Sequence, residues 1–434
     1  MKGFLSDDPV ANLENWPELA YFGNSLTRHL SGVDSIDSIV DAPNANLINA
    51  PILLSGDWGS GKTSLLLHLK NALQKKHNRG VIWLDAWRYE KECNLMTALL
   101  HCIWKSKPSG LQNNKLNAKI IFSTVLKTAA SLGVRAALNS MGIKGTLANI
   151  ENDFKTQGEI GPPNEPPKNQ TDLLTEQFER LIDSLWPGEN LKPVIIIDDL
   201  DRCSPESAVE LLDQIRLLVS SHSHTGCRFV VAMDKVTLQQ AIRSKFSSLS
   251  NYDSHRYLEK LFPIMLQIPR FSMANNTSLY QSLLKTCQPP LSGSDHEAWE
   301  KVFTTPYFAN LRLIKRCLNT YQWIISAEST ESINEVDQAL LMEWLAAINR
   351  WPQLRDYLNA KSESFWRQVT NVIQNNDEQQ ENQESIVQEL LEQPFIRDFF
   401  YESPVRGNSQ YEYKLLNRIQ DYKELDKFIS SKGV

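Results

Sequence analysis

Hydrophobic and polar positions along this chain follow two periods, and the point where one gives way divides it. Up to about residue 270, short apolar runs stand between segments whose apolar residues recur at helix spacing. The runs are Leu53-Leu54, Val81-Ile82-Trp83-Leu84, Val194-Ile195-Ile196-Ile197 and Phe229-Val230-Val231-Ala232-Met233. Short and mostly β-branched, they predict strands, the Val194 run buried on both faces. Met265-Leu266-Gln267-Ile268, stopped by Pro269, predicts a last strand at a sheet edge. Helix spacing covers Trp16–Leu30, the segment from Leu65, Leu95–Trp104, Thr171–Leu185, Pro205–Val219 and a start near Val236. Strand, helix, strand connections of this length imply a parallel sheet, hence an α/β fold.

Beyond Pro269 the pattern turns helical and more polar. Pro306–Arg316 opens a helix with Arg312, Lys315 and Arg316 in its first turns, and Trp344–Leu358 and Phe365–Ile373 predict further helices. Cations oppose the dipole at a helix start, so either an anionic partner sits there or the face is solvated. Asn375–Gln383 is a solvated loop, and the last segment, with Phe395, Phe399, Phe400 and Tyr401, is apolar enough to fold. Earlier, Ala118–Ile143 is rich in Ala, Leu and Ile but interrupted by Lys119, Lys127 and Arg135 and closed by Lys144. It reads as a core helix, a partner-binding or oligomer helix, or a membrane-surface helix; it is too charged for a span. A polar loop through Asp41–Asn46 precedes the first strand, and Gly161–Pro167 ends the insertion. The expected organisation is an N-terminal helical segment (1–45), an α/β core (46–270) with an insertion at about 105–170, a helical lid (271–350) and a C-terminal α-helical region (351–434).

Composition changes this little. The 434 residues are 41% hydrophobic and 22% charged, as in an ordinary globular chain. A net charge of −6 gives no support to a broad nucleic-acid face. Cys93, Cys102, Cys203, Cys227, Cys287 and Cys317 are scattered, without a C-x-x-C pair, and read as reduced thiols. With no apolar leader and no run long enough to span a bilayer, a cytoplasmic protein is expected.

The chemistry begins where the first strand ends. Gly56-Asp57-Trp58-Gly59-Ser60-Gly61-Lys62-Thr63-Ser64 satisfies G-x-x-x-x-G-K-[ST], with an extra glycine at 59. A loop free of obstructing Cβ atoms turns its N–H groups around a polyphosphate, and the helix N-terminus adds partial positive charge. Lys62 is expected on the β- and γ-phosphates and Thr63 on Mg²⁺.

The Val194 strand ends in Asp198-Asp199-Leu200-Asp201-Arg202-Cys203. Ligands of open parallel sheets bind beyond the carboxyl ends of the strands. Asp198 is therefore placed to hold Mg²⁺, and Asp199 to accept or orient the proton of an attacking water. Asp201 and Arg202 pair with each other or with a neighbouring subunit, and Arg202 is a candidate to act in trans on a phosphate. Asp234, expected beside Asp198, either contacts the attacking water or γ-phosphate, or caps the next helix. A Val81 strand lying next to the P-loop strand would aim Asp85, Trp87 and Arg88 at the same crevice; Trp87 is favoured as a structural wedge. Tyr21 and Phe22 are read as core aromatics in preference to rings stacked on a base.

Taken together, these stretches resemble the KAP P-loop NTPases, a branch of the additional-strand ATPases related to STAND and AAA+ proteins. The resemblance rests on Gly56–Ser64, on Asp85-Ala86-Trp87-Arg88-Tyr89-Glu90 and above all on Ile195–Cys203, with weaker support from Ala232-Met233-Asp234, Tyr257-Leu258-Glu259-Lys260 and Asn310-Leu311-Arg312. It covers about residues 10 to 330. It implies that Arg312 is a sensor-type arginine in a helical lid, although Leu311 stands where the family usually has proline. Many members insert transmembrane helices where this chain has Lys119–Lys144, so a soluble member with a reduced insertion is expected. The resemblance also implies a homo-oligomer with Arg202, Arg256 or Arg316 as candidate fingers, protein partners encoded nearby, and a place in bacterial anti-phage defence.

The expected function is Mg²⁺-dependent ATP hydrolysis driving a switch or motor, with ATP preferred to GTP partly by resemblance and partly because no Asn-Lys-x-Asp signature is present. Two alternatives stay open. One is a slow-turnover, nucleotide-gated interaction module; the other is a nucleic-acid-stimulated ATPase resting on local cations alone.

Overall fold

The computed structural model describes residues 5–31, 50–91, 94–108, 115–129, 170–187, 192–219, 227–246, 253–272, 276–287, 293–305, 308–327, 337–368 and 411–434. The Asp41–Asn46 loop, the alanine-rich stretch from 130 onward, Gly161–Pro167, Pro306–Tyr307, Asn375–Gln383 and the Phe395–Tyr401 aromatics lie outside them. Contacts divide the chain into two units. One comprises Pro9–Glu14 and Glu18–Pro269, the other Met1–Asp8, Asn15–Pro17 and Arg270–Val434.

The first unit is an α/β layer structure. In chain order it contains α1 (Pro17–Ser31), β1 (Ile52–Ser55), α2 (Lys62–His77), β2 (Val81–Asp85), α3 (Leu95–Lys105), α4 (Lys115–Ala129), α5 (Gln170–Leu185), β3 (Val194–Asp198), α6 (Pro205–Leu218), β4 (Arg228–Met233), α7 (Lys235–Lys245), α8 (Ser254–Leu261) and β5 (Ile264–Gln267). Every strand pairing is parallel, in the order β2-β3-β4-β1-β5. One row of the sheet runs Leu84, Ile197, Val231, Leu53, Met265, so the strands end nearly level. Three strands, β1, β3 and β4, are buried along their whole length, as their largely apolar letters require.

The order corrects one expectation. Strand β2 pairs with β3 at the far edge of the sheet and does not neighbour the P-loop strand β1. Its partly exposed Trp83 and Asp85 suit an edge, whereas β3 and β4 need cover on both faces and take the inner places. The predicted edge strand is β5, whose residues are partly buried up to Leu266 and exposed at Gln267.

The helices complete the core. Of the alanine-rich stretch, the described part is a core helix: Ala118, Val125 and Leu126 of α4 are buried, and Phe122 stacks on Trp104 at 4.8 Å. Tyr21 departs from its expectation, lying 73% exposed on α1 while Leu19, Leu26 and Leu30 face inward. Phe229 sits fully buried in the central strand β4. Phe229→Ala is expected to destabilise the unit by about 3–5 kcal/mol through lost burial and a residual cavity. Chemical denaturation checks this, and a loss below about 1 kcal/mol would show that the site collapses around the gap.

The second unit is helical, with α9 (Thr277–Cys287), α10 (Gly293–Thr304), α11 (Leu311–Ala327), α12 (Gln338–Arg350), α13 (Gln353–Ala360) and α14 (Tyr411–Ser430). Aromatic pairs hold it: Trp299 meets Tyr321 edge-on at 4.6 Å, and Trp344 stacks on Tyr422 at 5.1 Å. The single helix expected over Trp344–Leu358 is two, broken at Trp351-Pro352. Proline lacks an N–H and drives the residue before it out of helical geometry. The cations at the start of α11 have an anionic partner within the chain itself. Arg312 lies 3.6 Å from Asp7, and Lys315 donates to the Ser6 carbonyl at 2.8 Å. Burial pulls the Lys315 ammonium below the usual lysine range. Among the described residues, no helix is long and apolar enough to cross a membrane.

Candidate nucleotide site

The site grows out of the carboxyl end of the sheet. After β1 the chain turns through Gly56–Gly61 into α2, with Gly59 and Gly61 at φ 85° and 89°, the left-handed region where a side chain is strained. A Cβ on Gly56 would lie 2.5 Å from Ser60 Oγ. The loop is therefore closed tightly on itself, and the buried Ser60 Oγ has no hydrogen-bond partner among the described residues. Lys62, the first residue of α2, folds back so that Nζ donates to the carbonyls of Gly56 (2.8 Å) and Asp57 (3.3 Å). Ser64 accepts from the Val10 amide at 3.2 Å.

Asp198 closes β3 at 3% exposure. The Thr63 side chain and the Asp199 backbone favour its ionised form, and Oδ1 is buried without a hydrogen-bond partner among the described residues. An orphaned carboxylate oxygen beside a P-loop hydroxyl is the donor set a hard dication takes up, the remaining positions being filled by phosphate oxygens and water. Burial first, then the neighbouring Asp199 charge, push the Asp198 carboxyl up to about 7. A bound dication would hold it ionised. The residues present thus fit Mg²⁺.

Asp199 follows in left-handed backbone at φ 56°, a conformation that costs about 1–3 kcal/mol outside glycine and that Asp tolerates better than most. Its kinked backbone starts the 3-10 turn Leu200–Arg202, which sends the side chains of Asp201 and Arg202 to different partners. Asp201 reaches Lys62 Nζ at 3.5 Å and accepts from the Asp234 amide at 3.3 Å. Arg202 pairs with Asp199 at 3.0 Å. The expected Asp201–Arg202 pair is therefore not the one formed, since the turn points the two away from each other. Burial raises the Asp199 carboxyl above the usual carboxylate range, and Arg202 offsets only part of that rise.

The remaining residues divide by place. Asp234, at the end of β4, caps α7 by accepting from the Thr237 amide at 2.9 Å. Asp85 is in register with Asp198 and caps the single turn Ala86–Tyr89 through the Arg88 amide. Trp87 is 51% exposed, so it is no buried wedge. Exposed Arg256 pairs with Asp253 at 3.3 Å on α8. Arg312 and the exposed Arg316 belong to the other unit. Sequence reasoning overlooked the grip of Asp201 on Lys62 and the stacking of Arg202 on tryptophan rings; the Asp-x-Asp-Arg spacing after β3 was the available signal.

The family match agrees with this geometry. Residues 34–326, more than half of the chain, match the KAP family P-loop domain. The chain is 24% identical over 315 residues to the phage T7 exclusion protein of Escherichia coli K12, covering 65% of this chain and 38% of that protein. It thus spans well under half the length of that relative. It is also 26% identical over 159 residues to an uncharacterized protein of Methanocaldococcus jannaschii, covering 31% of this chain and 82% of the other. Among solved structures, the ORC2 protein of Aeropyrum pernix, in its ADPNP–ADP complexes, aligns over 98% of this chain and 96% of its own at 13% identity and a TM-score of 0.38. A phosphate-binding loop closing β1, paired carboxylates closing β3 and a family match spanning both lead to one assignment: the chain belongs to the KAP family of P-loop NTPases.

Proposed function

We propose that this protein is a Mg²⁺-dependent ATP hydrolase that acts as a conformational switch or motor, akin to STAND and AAA+ ATPases, in a multi-component anti-phage system of the bacterial cytoplasm. The observation that carries the catalytic part is the buried, unpartnered Oδ1 of Asp198 beside the Thr63 hydroxyl, with Asp199 one residue further on. Thr63 and Asp198 would hold the cation, which supplies neutralisation of charge on the β- and γ-phosphate oxygens. The amides of Gly59–Thr63 and the ammonium of Lys62 bind and orient the phosphates. Asp199 accepts a hydrogen bond from water and aligns it for in-line attack. Catalysis is positioning and charge stabilisation, with no covalent intermediate.

Chelation tests it. Phosphate release from ATP by the full chain is expected to fall to background in EDTA and to return when excess Mg²⁺ is added. An unchanged rate in EDTA would contradict the assignment of Thr63 and Asp198.

The defence context is supported by the name of one relative, the phage T7 exclusion protein, of which this chain spans 38%. Cells carrying the gene with its neighbours should plate a T7-like phage poorly, and Lys62→Ala should restore plating. Partners are then a second copy of the chain and proteins encoded nearby.

A second reading, a slow-turnover interaction module, draws on a different observation. Lys62 is already engaged by two carbonyls and Asp201, and Asp199 by Arg202. Groups occupied in this way favour slow basal turnover. Steady-state rates with and without a co-purified partner separate the two readings.

A further inference from the structure

Arg202 stands where three segments of the α/β unit meet. Its Nε pairs with Asp199 Oδ1 at 3.0 Å, while its guanidinium carbon lies 5.7 Å from the Trp58 ring centroid and 5.5 Å from that of Trp87. Trp58 belongs to the phosphate loop, Trp87 to the turn after β2, and Arg202 to the turn after β3. Both rings are more than half exposed, at 64% and 51%, so core packing does not account for them.

A planar guanidinium is well suited to such a place. It offers faces to aromatic rings and edges to a carboxylate, so three contacts fix its position and its plane together. Asp199 needs a fixed partner. It sits in left-handed backbone, and the charges of Asp85 and Asp201 repel its carboxylate. Without Arg202 that repulsion would turn the side chain away from the other acids and away from a water at the strand ends. Lysine would serve poorly, because a point charge on a flexible stem fixes neither plane nor direction.

Building on the hydrolase reading, we infer that Arg202, clamped between Trp58 and Trp87, is a positioning residue for the hydrolytic step: it holds the Asp199 carboxylate by one oxygen and leaves the other for the attacking water. Trp58 lies inside the loop that wraps the phosphates, so the clamp ties the direction of Asp199 to the conformation of that loop. Nucleotide binding itself does not require the clamp.

The test uses the full chain with Arg202→Gln, Arg202→Lys, Trp87→Leu and Trp87→Phe. Turnover of MgATP is measured beside equilibrium binding of a fluorescent ATP analogue. Fluorine spectra of 5-fluorotryptophan-labelled protein are recorded without nucleotide. Arg202→Gln is expected to lower kcat by about 10²-fold, the cost of a misplaced group, with affinity held within about twofold. Arg202→Lys should stay low despite its charge, Trp87→Leu should lose about fivefold, and Trp87→Phe, which keeps a π-face, should recover most of that. Trp87→Leu should also shift the Trp58 resonance, and the shift should vanish in the Arg202→Gln background. Parent-like kcat in Arg202→Gln overturns the inference, as does a Trp58 resonance blind to Trp87→Leu. A parent that binds nucleotide and releases no phosphate overturns the hydrolase reading and the role of Arg202 with it; the resonance coupling would still separate a clamp from no clamp.

Discussion

Asp199→Asn is expected to lower kcat for MgATP hydrolysis by about 10²–10⁴-fold, the range for loss of a general base, with nucleotide affinity nearly unchanged. Asparagine keeps the shape of the side chain and accepts the left-handed backbone found at this position, so the turn after β3 should persist. What it loses is the charge that pairs with Arg202 and that, on the proposed mechanism, draws the proton of water. The expected pattern is therefore a fall in kcat at constant binding, the mark of an interaction made in the transition state. Parallel measurement of turnover and equilibrium binding checks it. Turnover equal to that of the parent protein would remove Asp199 from the mechanism.

Lys62→Ala should act at the other step. The ammonium is the cation of the phosphate loop, and its side chain is only 11% exposed. Charge-assisted hydrogen bonds contribute about 1.5–3 kcal/mol each, so ATP affinity is expected to fall by about 10²-fold or more. The substitution also leaves Asp201 without its cation among Asp198 and Asp199, which deepens the negative potential where phosphates must enter. Titration calorimetry with ATP in Mg²⁺ measures the loss. An affinity within threefold of the parent's would place the nucleotide elsewhere.

The parts of this protein legible in its sequence are those fixed by local chemistry. The strand into Gly56–Thr63 and the β-branched run into Asp198 announce themselves because burial on both faces and a tight glycine turn each demand particular letters. The parallel sheet followed from the spacing of strands and helices, and the edge position of β5 from Pro269. Strand order was less accessible: nothing in Val81–Asp85 says that β3, and not β1, is its neighbour, because that choice is made by competition among all the strands for the buried places.

Side-chain partners were harder still. Asp201 and Arg202 are adjacent in sequence, yet the left-handed residue before the turn sends one to Lys62 and the other to Asp199. Trp87 read as a wedge because large aromatics are usually buried; its place beside a guanidinium reverses that preference. The anion facing Arg312 was unforeseeable for a simpler reason. Asp7 lies some three hundred residues away in sequence, and no local pattern joins them.

The most direct measurement follows single-turnover ATP hydrolysis in water enriched in ¹⁸O, with Mg²⁺, for the parent protein and Asp199→Asn side by side. In-line attack by water positioned at Asp199 puts one ¹⁸O into the released phosphate of the parent, and almost no phosphate appears from Asp199→Asn. Phosphate released without the label, or released equally by both proteins, would contradict hydrolysis at this site.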